Sequence, residues 1–253
     1  MSMGAGFRAK GRQLPATGHE NDDDPSAAVK ALSAIIERGA RVQAPAVRAY
    51  VQRLRDADPE STPDQIVARL EKHYLAAVMA SGAAVGSAAA FPGVGTLVAM
   101  SAVAGETVVF LEATAVFVLA VAEVHGIPAE HRERRRALVL AVLVGEDGRH
   151  AVMDLVGPGR TKGAWLADGA AQLPLPAVSQ LNSRLLKYFV KRYTLKRGAI
   201  AFGKMLPVGV GAVVGGVGNR MMGKKIVDNA RVAFGAPPPR WQSTLHVLPA
   251  PKQ

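Results

Sequence analysis

The residues in this chain best equipped for chemistry are set at spacings that do not perform it. Gly218-Asn219-Arg220-Met221-Met222-Gly223-Lys224-Lys225 comes within one residue of a phosphate-cradling glycine loop. That loop needs Ser or Thr after its lysine to hold magnesium, and a strand before it to aim backbone N–H groups. Here Lys225 takes the hydroxyl position and no strand pattern precedes it. Gly209-x-Gly211-x-x-x-Gly215 is a poor dinucleotide fingerprint for the same reason. No Gly-x-Ser-x-Gly elbow occurs, and the six histidines are scattered without metal-ligand spacing. The chain has no cysteine, which excludes disulfides, thiolate chemistry and Cys-based metal sites. Glu106 and Glu112 remain as a carboxylate pair. Six residues of helix set them about 120° off a common face, which suits buried structural acids better than an acid–base couple. The expectation is a non-enzymatic protein without cofactor or metal.

Charge is the stronger signal. The net charge of +11 is unevenly placed: between residues 169 and 227 there are ten Lys or Arg and no acid. The rest of the chain is nearly neutral. A one-signed block of this kind addresses an anionic partner, either phospholipid or nucleic acid.

The elements that must position these charges read as helices. Residues 26–42 and 44–57 carry apolar residues at helical spacing. Thr62-Pro63-Asp64-Gln65 is a start signal, with Thr62 as cap, Pro63 at the first helical position and Gln65 completing a capping box. From residue 73 to 105 there is no Asp, Glu, Lys or Arg, and Lys and Arg stay absent to residue 131. Phe91-Pro92-Gly93-Val94-Gly95-Thr96 breaks that run. It therefore reads as a helical hairpin with arms 75–90 and 97–122. A further helix is expected from 132 to 143, a looser stretch after it, then helices at 179–197 and near 224–234. Leu206-Pro207-Val208-Gly209-Val210-Gly211 echoes the first break, as a pseudo-repeat or as chance in a Gly/Val-rich chain. No alternation long enough for a sheet appears. The fold class is all-α, a helical bundle built around one or two glycine/proline-broken apolar hairpins. Residues 26–235 form one helical domain, between a disordered tail (1–25) and a Pro-rich tail (236–253).

Whether the hairpin meets a bilayer is a close balance. Residues 97–122 hold twelve Leu, Val or Phe, contributing about −4 to −7 kcal/mol on an insertion scale. Glu106 and Glu112, if ionised near the centre, cost about +5 to +7 kcal/mol. The other arm falls short of the roughly 20 residues a span needs. Three accounts stay open: insertion as a hairpin, immersion in one leaflet, or burial in a soluble bundle. The uncharged tip (Phe91, Pro92, Gly93, Val94, Gly95) and the flanking bases (Arg69, Lys72, Arg132, Arg134, Arg135, Arg136) favour membrane contact with both ends cytoplasmic. The first residues hold no apolar signal-peptide core, so a cytoplasmic start is expected.

The helix at 179–197 sets Leu181, Leu185, Leu186, Phe189, Val190 and Tyr193 on one face, with Arg184, Lys187 and Lys191 opposite and Arg192, Lys196 and Arg197 at its end. A basic amphipathic helix with aromatic residues suits an anionic lipid surface. The bland alternative is a core helix with a solvated polar face. Nucleic acid is the weaker partner reading.

Phe91-Pro92-Gly93-Val94-Gly95-Thr96, Leu111-Glu112-Ala113-Thr114-Ala115, Gly218-Asn219-Arg220, Asn229-Ala230-Arg231 and Phe234-Gly235 together resemble the EcsC-like family of bacterial proteins, over about residues 62–241. The resemblance implies membrane association and supplies no catalytic residues. The expected function is a membrane-associated helical protein on the cytoplasmic side of the cell membrane, binding anionic phospholipid and a membrane-protein partner such as a transporter. The rival is a soluble helical interaction protein with the hairpin in its own core.

Overall fold

A computed structural model of the chain describes residues 44–89, 96–127, 129–156, 165–168, 173–200 and 211–241. Among these residues all regular structure is helical, as the absence of alternation predicts. The helices are α1 (Ala44–Asp56), α2 (Pro63–Ala89), α3 (Thr96–Val124), α4 (Arg132–Val144), α5 (Glu146–Val156), the single turn α6 (Trp165–Asp168), α7 (Leu175–Ile200) and α8 (Gly211–Phe234). The tails and the helix expected at 26–42 lie outside the described residues.

The start of α2 forms as its residues dictate. The Gln65 N–H donates to Thr62 Oγ1 at 3.3 Å and the Thr62 N–H to Gln65 Oε1 at 2.9 Å, the reciprocal capping box. The centre of the fold is the second half of α3. Residues 110–124 are mostly buried, with Thr114, Ala115, Val118, Ala120 and Ala122 fully so, because α1, α2, α4 and α8 surround them. A helix apolar on all sides needs such a shell. Its one buried hydroxyl is satisfied: Tyr74 and Thr114 share a 2.9 Å bond, and Thr114 Oγ1 donates to the Phe110 carbonyl at 2.8 Å.

Two elements differ from the sequence reading. The stretch expected to be loose after α4 contains α5, and α8 is one helix of 24 residues that absorbs the glycines before Lys224. The turn between α4 and α5 is Gly145, at φ 72°, where a side chain would be strained. Any Cβ there would also meet Asn229 Nδ2 at 2.8 Å, and that amide is needed to donate to the Val142 carbonyl at 2.9 Å. The helix break and the α4–α8 tie therefore depend on one glycine.

Candidate functional site

The direction of the helices gathers the apolar segments at one end of the molecule. Asn219 contacts Val78 and Glu106, Tyr74 contacts Thr114 and Phe117, and Arg231 contacts Glu71. At the far end the His125 and Phe234 rings lie 5.3 Å apart. These levels make α2 antiparallel to both α3 and α8, which run parallel to each other. The end of α2 and the beginnings of α3 and α8 thus share a pole. From Val78 to Ala89, from Thr96 to Gly105 and from Gly211 to Asn219, the three segments contain no charged residue. Glu106 and Arg220 follow directly below. The helices that follow both Pro/Gly breaks begin at this pole, whereas the hairpin tip itself (Phe91, Pro92, Gly93, Val94, Gly95) lies outside the described residues.

Small residues set how closely α2 and α8 approach. A Cβ on Gly223 would lie 2.9 Å from Val78 Cγ2 and 3.1 Å from Leu75 Cδ2. On Gly216 it would make only ordinary contact with Met79 and Ala83. Between them Asn219 Nδ2 donates to the Val78 carbonyl at 3.0 Å and to Glu106 Oε1 at 2.6 Å. Glu106 is half-buried and held by this bond, and Glu112 is half-buried and also engaged. Both sit on α3 as structural acids; nothing among the described contacts couples them to each other.

On α7, Val178, Leu181, Leu185 and Phe189 are buried against α4 and α5, so the described part of the apolar face read as lipid-facing is largely covered by protein, while the side chains of Val190 and Tyr193 lie outside the described set. Asn182 fixes this packing, its Nδ2 donating to Glu133 Oε2 at 2.8 Å and to the Glu133 carbonyl at 3.0 Å. Arg184 and Lys187 are exposed beside a shallow cleft of about 320 Å³ formed with Ala151, Asp154 and Tyr188. Arg184 lies 4.0 Å from Asp154, a weak surface pair. Lys191, Arg192, Lys196 and Arg197 continue along the same helix, their side chains outside the described set. Several bases flanking the hairpin are engaged by protein. Arg69 pairs with Asp58, Arg134 donates to the Leu173 carbonyl at 3.2 Å, and Arg135 donates to the Ala129 and Glu130 carbonyls.

The opposite pole holds a half-open cavity of about 440 Å³ lined by Asp64, Glu71, His125, Arg231, Phe234 and neighbouring residues. Arg231 grips the buried Glu71 carboxylate with two bonds of 2.7 and 2.5 Å, and this pairing raises the Arg231 pKa. Burial holds His125 below the ordinary imidazole value, and the 2.9 Å bond between its Nδ1 and the Val121 carbonyl recovers part of the loss. Both oxygens of Glu71 are engaged by Arg231, and no Ser, Thr or Tyr stands among the described lining residues. Among the described residues no three metal-ligating side chains cluster. The near-match to a phosphate loop, residues 218–225, lies within the continuous helix α8 and forms no cradle.

Sequence reasoning missed the outer face of α8. Val217, Met221 and Met222 are exposed there, alongside Arg220, Lys224 and Lys225. The one-signed block pointed to this segment, but its helical phase was hidden while the glycines argued against a helix. No protein-family model, curated protein or solved structure matches the chain.

Proposed function

We propose that this protein is a non-enzymatic, membrane-associated helical bundle that seats its uncharged pole against the anionic cytoplasmic face of a bilayer. The observation that carries the reading is the convergence of three uncharged helix segments, from α2, α3 and α8, on one end of the molecule. An end built from three uncharged helix segments carries no ionic side chain to hold it in water, and large apolar patches mark interaction surfaces. The basic block of α7 and α8 supplies the complementary charge for anionic headgroups. A membrane-protein partner would meet the chain on the same side, and the EcsC-like resemblance favours that setting.

A second reading rests on α3. Its segment Gly105–Val124 is long and apolar enough to cross a membrane, with mean hydropathy 2.1, yet 61% of its most apolar stretch is buried inside the protein. That burial favours a soluble interaction protein in which the hairpin is core. Co-sedimentation of the full chain with anionic vesicles separates the two. Binding that persists in high salt and is released by detergent supports the membrane reading, and full recovery in the supernatant overturns it.

A further inference from the structure

Helix α8 has two faces. Gly216, Gly223, Ile226, Val227, Ala230, Ala233 and Phe234 are buried against α2, α4 and their neighbours. On the outer face Val217 is 51% exposed, Met221 71% and Met222 57%, so three of the large apolar side chains left in water among the described residues fall within six positions. Interspersed with them are Arg220, Lys224 and Lys225, all exposed and without an ion-pair partner among the described residues. No acid occurs on α8 before Asp228. At the same level α2 exposes Lys72, His73, Ala76, Ala77, Ala80 and Ala84, again without an acid. The acids at this level on α3 are both half-buried and engaged: Glu106 is held by Asn219 between the helices, and Glu112 has its own interaction.

Resting on the membrane reading above, we infer that this collar on α8 is the headgroup-binding site, and that the pole enters one leaflet only. Val217, Met221 and Met222 lie at the boundary between acyl chains and headgroups, and Arg220, Lys224 and Lys225 bind lipid phosphates. Lys224 and Lys225 follow Met221 by about one turn, roughly 5 Å along the axis. Their flexible stems span that step while the ammonium groups stay with the phosphates. The depth follows from helix length. The uncharged residues 211–219 rise about 13 Å, and residues 96–105 of α3 about 15 Å. The hydrocarbon core is about 30 Å thick, so one leaflet of it is about 15 Å. The uncharged pole is therefore the height of one leaflet and too short to cross two.

The occupant fits by charge and by shape. Interfacial helices combine long cations with Met, Leu or Val on an adjoining stripe. Arg184 and Lys187 on α7 have a different setting, because the apolar residues Leu181, Leu185 and Phe189 beside them are already buried by α4 and α5.

The test uses the full chain and phosphatidylcholine vesicles containing about one third phosphatidylglycerol, where each cation near the surface is worth up to about fivefold in partitioning. The R220Q/K224Q/K225Q variant is expected to lose about tenfold or more in partitioning, while R184Q/K187Q loses little. All five positions are exposed, and circular dichroism checks that both variants fold. The cysteine-free background also allows single polarity-sensitive labels. A label at Met221→Cys should shift to the blue and be quenched by headgroup-level quenchers, and a label at Asp228→Cys should stay in water. If the wild type binds vesicles but the triple variant binds equally and the Met221→Cys label remains in water, the α8 site is wrong and the membrane reading stands. Quenching of a Val217→Cys label by groups at the bilayer centre overturns the one-leaflet depth. Failure of the wild type to bind at all removes the membrane reading and this site together.

Discussion

The side-chain amide of Asn219 lies 2.6 Å from a carboxylate oxygen of Glu106 and 3.0 Å from the Val78 carbonyl, so one group on α8 joins α3 and α2. The same bond lets an acid sit in an otherwise uncharged part of α3, because its charge is met by a donor. Exchanging Asn219→Asp removes that donor and sets a second carboxylate against Glu106. A loss of about 2–3 kcal/mol at neutral pH is expected from urea unfolding. Adding Glu106→Gln should recover much of it, since the new amide donates to the new acid. No recovery would mean that the cost is steric.

Two glycines of α8 should respond in opposite directions. Gly223→Leu forces atoms into Val78 and Leu75 and should cost about 1–3 kcal/mol. A Cβ on Gly218 meets nothing within 4 Å. Gly218→Ala should then stabilise by about 0.5–1 kcal/mol through helix propensity alone. Thermal melts of the two variants check the contrast, and equal shifts would contradict the α2–α8 packing.

Glu71 is buried, while the Arg231 side chain that binds it is 63% exposed. Removing the exposed partner therefore strands the buried charge. Arg231→Met is expected to cost about 1–2 kcal/mol, reduced from the fully buried case by solvent screening. The double variant with Glu71→Leu should be more stable than Arg231→Met alone. A double-mutant cycle showing simple additivity would indicate that the bidentate pair is not maintained in solution.

Stability should fall on mild acidification through His125. Its folded pKa is depressed below the ordinary value by burial, so the unfolded chain takes up the proton first. Stability is then full above the unfolded pKa and is lost as pH falls through the window below it. Glu123 works in the other direction, because burial raises its pKa and acid favours its folded form. The melting temperature of the wild type should drop between about pH 7.5 and 5.5, and that of His125→Phe should drop less. Identical slopes would show that His125 does not carry the effect.

Much of the architecture was legible because it depends on local patterns. The α2 start follows from Thr62, Pro63 and Gln65, and α3 from a long, mainly apolar run without Lys or Arg. The length of α8 was not legible, because Gly211, Gly215, Gly216 and Gly218 lower intrinsic helix propensity. Packing of Gly216 and Gly223 on α2 overrides that propensity, and it is a tertiary fact. The lining of the site was obscured for the same reason. Arg220, Met221 and Lys224 acquire an outward phase only once the helix is known to be continuous. The α7 bases were visible, but the burial of Leu181, Leu185 and Phe189 by α4 and α5 could not be read from one helix.

The polar pole is fastened shut. Trp241 donates its indole N–H to the Ser61 carbonyl at 2.9 Å, Arg55 stacks over the same ring at 4.1 Å, and Arg231 locks onto Glu71 one helix away. These ties join the start of α2 to the end of α8, so the two helices behave like the blades of a clothes peg, sprung at one end. Any splaying must begin at the opposite, glycine-lined end, where Asn219 bridges them. Amide exchange along α8 should accordingly run in a gradient, fastest before Asn219 and slowest near Ala230. On the membrane reading proposed above, such jaws would widen around acyl chains while the hinge stays folded.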